Sequence, residues 1–394
     1  MKEILTDILI VGGGLTGLLA ALSLSTNDNQ IVLIDRYDFA NLSKENTDLR
    51  TTAISEGSKN FFEKIKIWQK INKHSEKIKY IDVFDRNKSS KINFYNNKKQ
   101  NYLGYVIKNT ILKSEIIKVL KTKKNIKLIK KDKLKKIQYN ENKIEILTNQ
   151  YKIKPSILLA ADGKNSSVRN IVKTNQFKKN YNHSAIVTNF SHTQNHNNTA
   201  YEIFYKTGPL AILPMKSSSK SLFSSSLIWS NEKNYVDSFI NTTPDIQIKI
   251  LQEKIFDYVG DIKEVYNVKV FNLSAHLNSK FYEPRLVYLG DAAHSMHPIA
   301  GQGWNLGVRD VKNISNVICN AQKLGLDLGT QAVCKQYHDL SFNDAYTLFQ
   351  VTDKLNSIFL NNNLIFRNLR QTGFDLINKN LNIKKIISNY AMGV

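Results

Sequence analysis

A parallel α/β domain, interrupted by a mainly antiparallel β insertion and closed by a helical tail, is the fold class the sequence predicts. Three observations predict it. Residues 7–24, DILIVGGGLTGLLAALSL, read as a buried strand, a glycine turn and an apolar helix. Between about Phe177 and Asn272 the pattern changes to short alternating runs separated by polar turns. At RLVYLGD (285–291) the buried-strand pattern returns, and helical periodicity follows from about Gly303 to the end.

Each element follows from its spacing. QIVLID (30–35) is a second buried strand and completes a βαβ unit of the expected length. Apolar positions from Phe61 to Ile71 have helical spacing, and KYIDVFDR (79–86) with KINFYN (91–96) alternates as a hairpin. LGYVIKNTILKSEIIKVLKT (103–122) has the periodicity of a second long helix. KIEILTNQYKIKPSILLAADG (143–163) holds two or three strands that return to the parallel sheet. In the insertion, HSAIVTNF, TAYEIFY, LAILPM and SLFSSSLIW are β-like, and a helical piece lies near 244–258. The expected organisation is one domain made of residues 1–176 and 273–350, with the hairpin near 79–96 reaching toward the substrate side. Residues 177–272 form the inserted domain and 351–394 a C-terminal helical region.

Composition narrows the function classes. With 42% hydrophobic and 10% aromatic residues the chain folds around a core. It carries 56 Lys and Arg against 33 Asp and Glu, a formal charge of +23, yet only 8 of the 56 are Arg. Arg is the better reader of phosphates and base edges, so no nucleic-acid partner is expected. The densest run, KTKKNIKLIKKDKLKKIQ (121–138), interleaves Lys with Ile and Leu as a solvated face does. Cys319 and Cys334 have no CxxC spacing and no ligand set around them, which implies inert thiols and no metal site. Asp7 interrupts the N-terminal apolar run, and no stretch reaches the ~18–20 apolar residues of a membrane span. The expected location is cytoplasmic, with any membrane touched from one side.

Three constellations carry chemistry. Gly12, Gly14 and Gly17 make GxGxxG between strand and helix, and Asp35 ends the next strand. Gly12 allows the tight turn, Gly14 lets backbone approach a pyrophosphate, and Gly17 lets the helix pack closely. Asp35 can accept from an adenosine ribose diol, and Arg36 beside it is grouped with the cofactor residues. This loop alone does not separate NAD from FAD. The second constellation does. Gly290-Asp291 ends a strand, so Asp291 projects from the carboxyl edge of the sheet, where it can hold a ribityl chain. PIAGQG (298–303) then brings backbone past a planar ring, and a helix from near Gly303 aims its positive end there. One extended FAD accounts for two distant glycine sites. The third constellation is LLAADGKNSSVR (158–169), with Asp162-Gly163 closing a strand; a plain turn with a capping Ser explains it equally well.

Taken in order, the GxGxxG loop with Asp35, LRTTAIS (49–55), AADGKNSSVR and GDAAHSMHPIAGQGWNLGVRD resemble the motifs of the single-component FAD aromatic hydroxylases, class A flavoprotein monooxygenases related to para-hydroxybenzoate hydroxylase. AYEIFYKTGPLAILPM (200–215) and the tail TDKLNSIF…LRQTGFDLINKN…AMG (352–393) are similar to the ubiquinone-biosynthesis hydroxylases within that group. The resemblance implies a Rossmann-like FAD-binding domain with an inserted antiparallel substrate domain. It implies that Arg50 lies near the flavin and its phosphates. Asp162 and Gly163 match a motif linked to FAD and to transient NAD(P)H contact. Gly290 and Asp291 meet the ribityl chain, while Pro298, Gly301, Gln302 and Gly303 flank the isoalloxazine. Gly208, Pro209, Leu210, Leu213 and Pro214 line the substrate pocket. Ala160 departs from the family, which often has Gly there, with little consequence expected from so small a residue.

The activity implied is hydroxylation of a polyprenylated phenol or benzoquinol on the path to ubiquinone. NAD(P)H reduces the flavin, O₂ adds as co-substrate to give a C4a-hydroperoxide, and the electron-rich ring takes the distal oxygen. No protein group is assigned as catalytic, and His294 and His297 read as local packing rather than as a base. A same-fold reductase of prenyl chains and a non-catalytic FAD-binding component of a quinone-synthesis complex stay open. The implied partners are the prenylated substrate, a ubiquinone-synthesis complex, and a peripheral membrane contact through the amphipathic region 355–390, for which core packing is the alternative.

Overall fold

The computed structural model describes residues 1–26, 28–42, 48–85, 90–95, 102–217, 219, 221–361 and 363–393. Its first sheet is parallel at the centre, in the order Leu286–Tyr288, Tyr151–Ala160, Lys2–Val11, Ile31–Ile34, Ile126–Ile129. Ile8–Val11, Ile31–Ile34 and Leu286–Tyr288 are buried throughout, as parallel strands covered on both faces must be. The register pairs Val11 with Ala160 and with Ile34, and Ala160 with Tyr288. The loops that follow these strands therefore leave from one edge. That edge carries Gly12, Asp35, Asp162 and Gly290.

The second sheet has eight strands, running His294–Ser295, Ile262–Asn278, Gln176–His192, Phe223–Glu232, Gly208–Met215, Thr199–Tyr205, Tyr80–Asp85, Lys91–Tyr95. Only the pair Thr199–Tyr205 with Tyr80–Asp85 is parallel. One face forms its own core under the helices Lys233–Ile240 and Pro244–Val259, with Ile186, Phe190, Leu210, Leu227 and Trp229 inward. The opposite face meets a small sheet of Thr51–Ser55, Gly104–Lys108 and Glu76–Ile78. The hairpin strands near 79–96 belong to this second sheet, and residues 86–89 and 96 lie outside the described residues.

Several expectations need correction. The long helix expected over 103–122 is a strand, Gly104–Lys108, followed by a helix, Asn109–Leu120. A Cβ on Gly104 would stand 2.7 Å from the Ile54 carbonyl oxygen, so close strand pairing, not helical periodicity, decides that segment. The helix expected from Phe61 to Ile71 breaks at Lys66, whose φ is 60°, into Glu56–Lys64 and Trp68–Asn72. The insertion's outer strands are not short: Gln176–His192 and Ile262–Asn278 have 17 residues each and pass the expected limits at 177 and 272. The lysine-rich run, by contrast, is the solvated face expected of it: it folds into the strands Ile126–Ile129 and Leu134–Tyr139, with Ile129 and Ile137 inward.

The tail is helical, as Gln302–Lys323, Gln331–Leu360, Leu364–Lys379 and Leu381–Met392. Phe374 packs with Phe359, Phe204 and Ile299, and Phe204 stacks on Phe359 at 3.7 Å. Met392 turns back into the apolar cluster of Ala53, Val106, Leu213 and Met215. Among the described residues, no helix is long and apolar enough to cross a membrane.

Candidate functional site

The glycine loop divides its labour. A Cβ on Gly17 would fall 1.9 Å from the Gly12 carbonyl oxygen, and one on Gly12, at φ +112°, 2.3 Å from the Ala161 carbonyl oxygen. Both are glycine because backbone presses on backbone. Gly14 differs: nothing lies within 4 Å of where its Cβ would be. It begins the helix Leu15–Leu24, which has no side-chain cap, so the free amides of the first turn face that open space. Asp35 fixes the loop by accepting from Gly13 N–H at 2.5 Å and Tyr37 N–H at 2.7 Å. Each of its oxygens keeps a second lone pair for a diol. Arg36 is exposed and lies over the Tyr37 ring, 4.9 Å from its centre.

The second glycine motif meets the first directly. Gly290 has φ +55°, and a Cβ there would stand 2.8 Å from Thr16 Oγ1, two residues beyond Gly14. Asp310, fully buried, accepts from Gly290 N–H at 2.8 Å and pairs with His294 Nε2 at 2.6 Å. His294 is thus a brace for the turn. Asp291, by contrast, is exposed and makes no side-chain hydrogen bond among the described residues. Protein surrounds it nonetheless, with His294, Arg50 and Lys164 within electrostatic reach. That surrounding protein pushes its carboxyl above the ordinary range, against the pull of His294, Arg50 and Lys164.

Arg50 is half-exposed and pairs with Asp48 at 2.8 Å, with the Phe271 ring beneath its guanidinium at 5.4 Å. Burial opposes its charge, but Asp48 and, through space, Asp291 hold its pKa above the ordinary value. Asp48 also receives the buried Lys113 at 2.8 Å. Although burial pushes Asp48 up, Arg50 and Lys113 hold it well below the usual carboxylate range.

The third motif closes the crevice from the sheet side. Asp162 Oδ2 accepts from Ser167 N–H at 2.6 Å and Val168 N–H at 3.1 Å, while its buried Oδ1 has no partner. Gly163, at φ +81°, has open space around it. Arg169 is buried and donates to the Ala292 carbonyl at 3.1 Å, tying this motif to the turn after Asp291.

The helix Gln302–Lys323 begins at Gly301, φ +59°, again with no side-chain cap. Gly303 has nothing within 4 Å of a virtual Cβ. Two uncapped helix starts therefore face the crevice, one beside each glycine motif, and their positive ends suit anionic or carbonyl groups. Pro298 leads into this loop, and His297 before it is buried with both ring nitrogens unpartnered. Burial pushes His297 down to about 4, so it stays neutral at neutral pH.

Sequence reasoning missed three residues here. Asn305 donates to the Ala53 carbonyl at 3.0 Å and accepts from Ser55 N–H at 2.9 Å, joining the LRTTAIS strand to the Gly301–Gly303 turn. Thr16 is the contact between the glycine motifs. Lys164 is a cation within electrostatic reach of Asp291. The 208–214 strand also divides by face. Leu213 is on the crevice side with Ala53 and Met215, whereas Leu210 lies in the insertion's own core, and strand alternation puts Pro214 on Leu210's side and Pro209 on Leu213's. Gly208 abuts strand Phe223–Glu232, where a Cβ would meet the Ser230 carbonyl oxygen at 2.3 Å.

A parallel sheet with two uncapped helix starts at one edge, facing an antiparallel sheet across a crevice, defines a dinucleotide-type flavoprotein oxidoreductase. The model of the FAD binding domain family matches residues 5–323, and the chain belongs to that family. It is 28% identical over 388 residues to ubiquinone hydroxylase UbiL of Rhodospirillum rubrum, covering 98% of this chain and 89% of that protein. It is 24% identical over 395 residues to 3-demethoxyubiquinol 3-hydroxylase of Escherichia coli, covering 99% of each. The crystal structure of p-nitrophenol 4-monooxygenase PnpA from Pseudomonas putida has the same fold, with a TM-score of 0.80, 16% identity, and 98% and 97% of the two chains covered.

Proposed function

We propose that this FAD-dependent monooxygenase hydroxylates the ring of a polyprenylated phenol or benzoquinol in ubiquinone biosynthesis, with NAD(P)H as transient donor and O₂ as co-substrate. One observation supports the reading: Gly290 abuts Thr16 of the first glycine motif, and Gly301 lies beside Ala53, which clusters with Leu213 of the second sheet. The names of the full-length relatives point to the same pathway.

The residues fit an extended FAD. Gly14 leaves room for the pyrophosphate at an uncapped helix start, and Asp35 has lone pairs for the adenosine ribose. Asp291, exposed and without a side-chain hydrogen bond among the described residues, suits ribityl hydroxyls. Gly301 and Gly303 give a flat ring access to backbone. When bound, the flavin supplies hydride acceptance and oxygen activation. The chain's own work is to bind, orient and exclude water. With the flavin bound, the second helix start would stabilise negative charge on it. Arg50 offers a cation on the same side. Lys164 offers a cation to a visiting nicotinamide nucleotide. Leu213, Met215 and Ala53 exclude water from the reacting ring.

An apolar chain on the substrate calls for a lipid source. The last two helices leave Leu364, Ile365, Leu381 and Ile386 at least two-thirds exposed. Arg367, Lys379 and Lys385 are exposed among them, with Asp375 as the sole acid of these helices. This mixture suits an anionic bilayer surface, with a quinone-synthesis complex as a further partner. Mass spectrometry of cells lacking the protein tests the function. An accumulating prenylated intermediate short of one ring oxygen is expected, whereas unchanged ubiquinone would refute it. Substrate-coupled oxygen uptake by the purified protein separates hydroxylation from prenyl-chain reduction.

A further inference from the structure

The last helix, Leu381–Met392, is anchored at its tip. Of its 12 residues only Met392 is buried, at 8% exposure, whereas Leu381, Ile386, Ile387 and Tyr390 are exposed. Tyr390 Oη donates to Asp344 Oδ1 at 3.3 Å and Lys384 Nζ to Asn378 Oδ1 at 3.5 Å, both long for hydrogen bonds. Met392 lies in the apolar cluster with Ala53, Val106, Leu213 and Met215. Ala53 Cβ also stands 3.7 Å from where a Cβ on Gly301 would be. The end of the chain therefore reaches the neighbour of the turn assigned to the flavin ring.

A glycine receives this tip. Gly57 lies in the first turn of the helix Glu56–Lys64, where alanine is the better helix former, and its φ is not positive. A Cβ there would stand 2.3 Å from the Gly393 carbonyl oxygen and 2.9 Å from that of Met392, and the remaining near atom is the Gly393 carbonyl carbon. Its three nearest neighbours thus all belong to the tail. Gly57 keeps room for the tip, and the tip sets Met392 in the cluster. A methionine side chain is flexible, unbranched and apolar, and it matches one isoprene unit in length.

We propose that Ala53, Val106, Leu213 and Met215 form the seat for the first isoprene unit of the substrate, and that Met392 fills this seat until the incoming chain displaces it. This deepens the hydroxylase reading and rests on it. The last helix is then a strap with a plug at its end. In the closed form the methionine keeps water off the apolar wall beside the ring-binding turn. Opening exchanges one apolar occupant for another, and it disturbs little else because Leu381, Ile386, Ile387 and Tyr390 are exposed already. A strap closed about nine-tenths of the time weakens the apparent affinity for a prenylated ring about tenfold and leaves a ring without a chain unaffected. Met392 is therefore a specificity element for the chain.

The test uses FAD-loaded protein titrated with phenol and with 2-prenylphenol, followed by the flavin absorbance change. Met392→Ala empties the seat, and Gly57→Ala keeps the methionine but pushes the tip away with a methyl. Both variants should bind 2-prenylphenol about tenfold more tightly than the wild type, with phenol affinity and bound FAD unchanged. No gain, a gain in one variant alone, or a gain shared by phenol overturns the proposal. The unmodified chain supplies an independent measurement. Peroxide oxidation of Met392, followed by mass spectrometry with the buried Met215 as reference, should quicken several-fold at saturating 2-prenylphenol and stay unchanged with phenol. Slower or unchanged oxidation with 2-prenylphenol overturns the plug while leaving the hydroxylase reading intact. If neither compound binds any of the three proteins, that reading falls with it.

Discussion

Replacing Gly14 by Ala separates what the glycine loop does for the fold from what it does for the cofactor. Gly14 has φ −69° and ψ 178°, which alanine adopts freely, and its added methyl would meet no protein atom within 4 Å. The apoprotein should therefore be as stable as before, or more stable by about 0.4–1 kcal/mol, because alanine has fewer unfolded conformations to lose. The methyl does enter the space in front of the uncapped helix start. Pushing a pyrophosphate away there removes one or two charge-assisted N–H bonds worth about 1.5–3 kcal/mol each. FAD affinity should fall by at least about tenfold. Calorimetric unfolding of the apoprotein and flavin-fluorescence titration measure the two halves independently. Unchanged FAD affinity would refute the assignment of that space, and a destabilised apoprotein would refute the claim that Gly14 is dispensable for packing. Gly17→Ala is the contrast: a methyl 1.9 Å from a carbonyl oxygen should destabilise the protein with or without flavin.

Two further outcomes are expected. Asp48→Asn leaves the buried Lys113 without its anion, a loss of about 3 kcal/mol that lowers the urea midpoint at neutral pH. Because the folded carboxyl is held below its unfolded pKa, Asp48 stabilises above about pH 4 and loses that contribution as pH falls further. The variant should show a shallower acid limb, and an identical pH profile would sink this reading. In the tail, Lys379→Glu with Lys385→Glu should reduce co-sedimentation with phosphatidylglycerol vesicles about tenfold or more, from about 1 kcal/mol for each lost basic residue at the surface. Flavin content should not change. Binding that ignores these charges and added salt would rule out an anionic surface.

The parts legible in the sequence were those whose cause is local. Gly12, Gly14 and Gly17 sit within one turn between a strand and a helix, and the buried strands that carry Asp35, Asp162 and Asp291 are continuous apolar runs. The aligned ends of those strands follow from the parallel fold class. What stayed hidden depends on partners far along the chain. Asn305 is an ordinary helical Asn until Ala53 and Ser55 arrive beside it, and Asp310 looks like any helix acid until Gly290 and His294 claim it. Gly104–Lys108 was misread because an apolar run before a helix extends the helical pattern, and only its pairing with Thr51–Ser55 makes it a strand. Leu210 and Leu213 belong to one motif, yet the two-residue period of a strand sends them to opposite faces.

The contact between Thr16 and Gly290 bears on biogenesis. The cradle's floor depends on a strand of three residues, Leu286–Tyr288, docking on Tyr151–Ala160, which itself pairs with Lys2–Val11. During synthesis the N-terminal loop emerges long before its counterpart. Such remote pairings are slow to form, so a ribosome-bound chain ending before that strand lacks half of the seat proposed for the coenzyme. On that proposal flavin capture would come late and lock what has already come together, so the flavin content of a preparation would gauge how completely it matured.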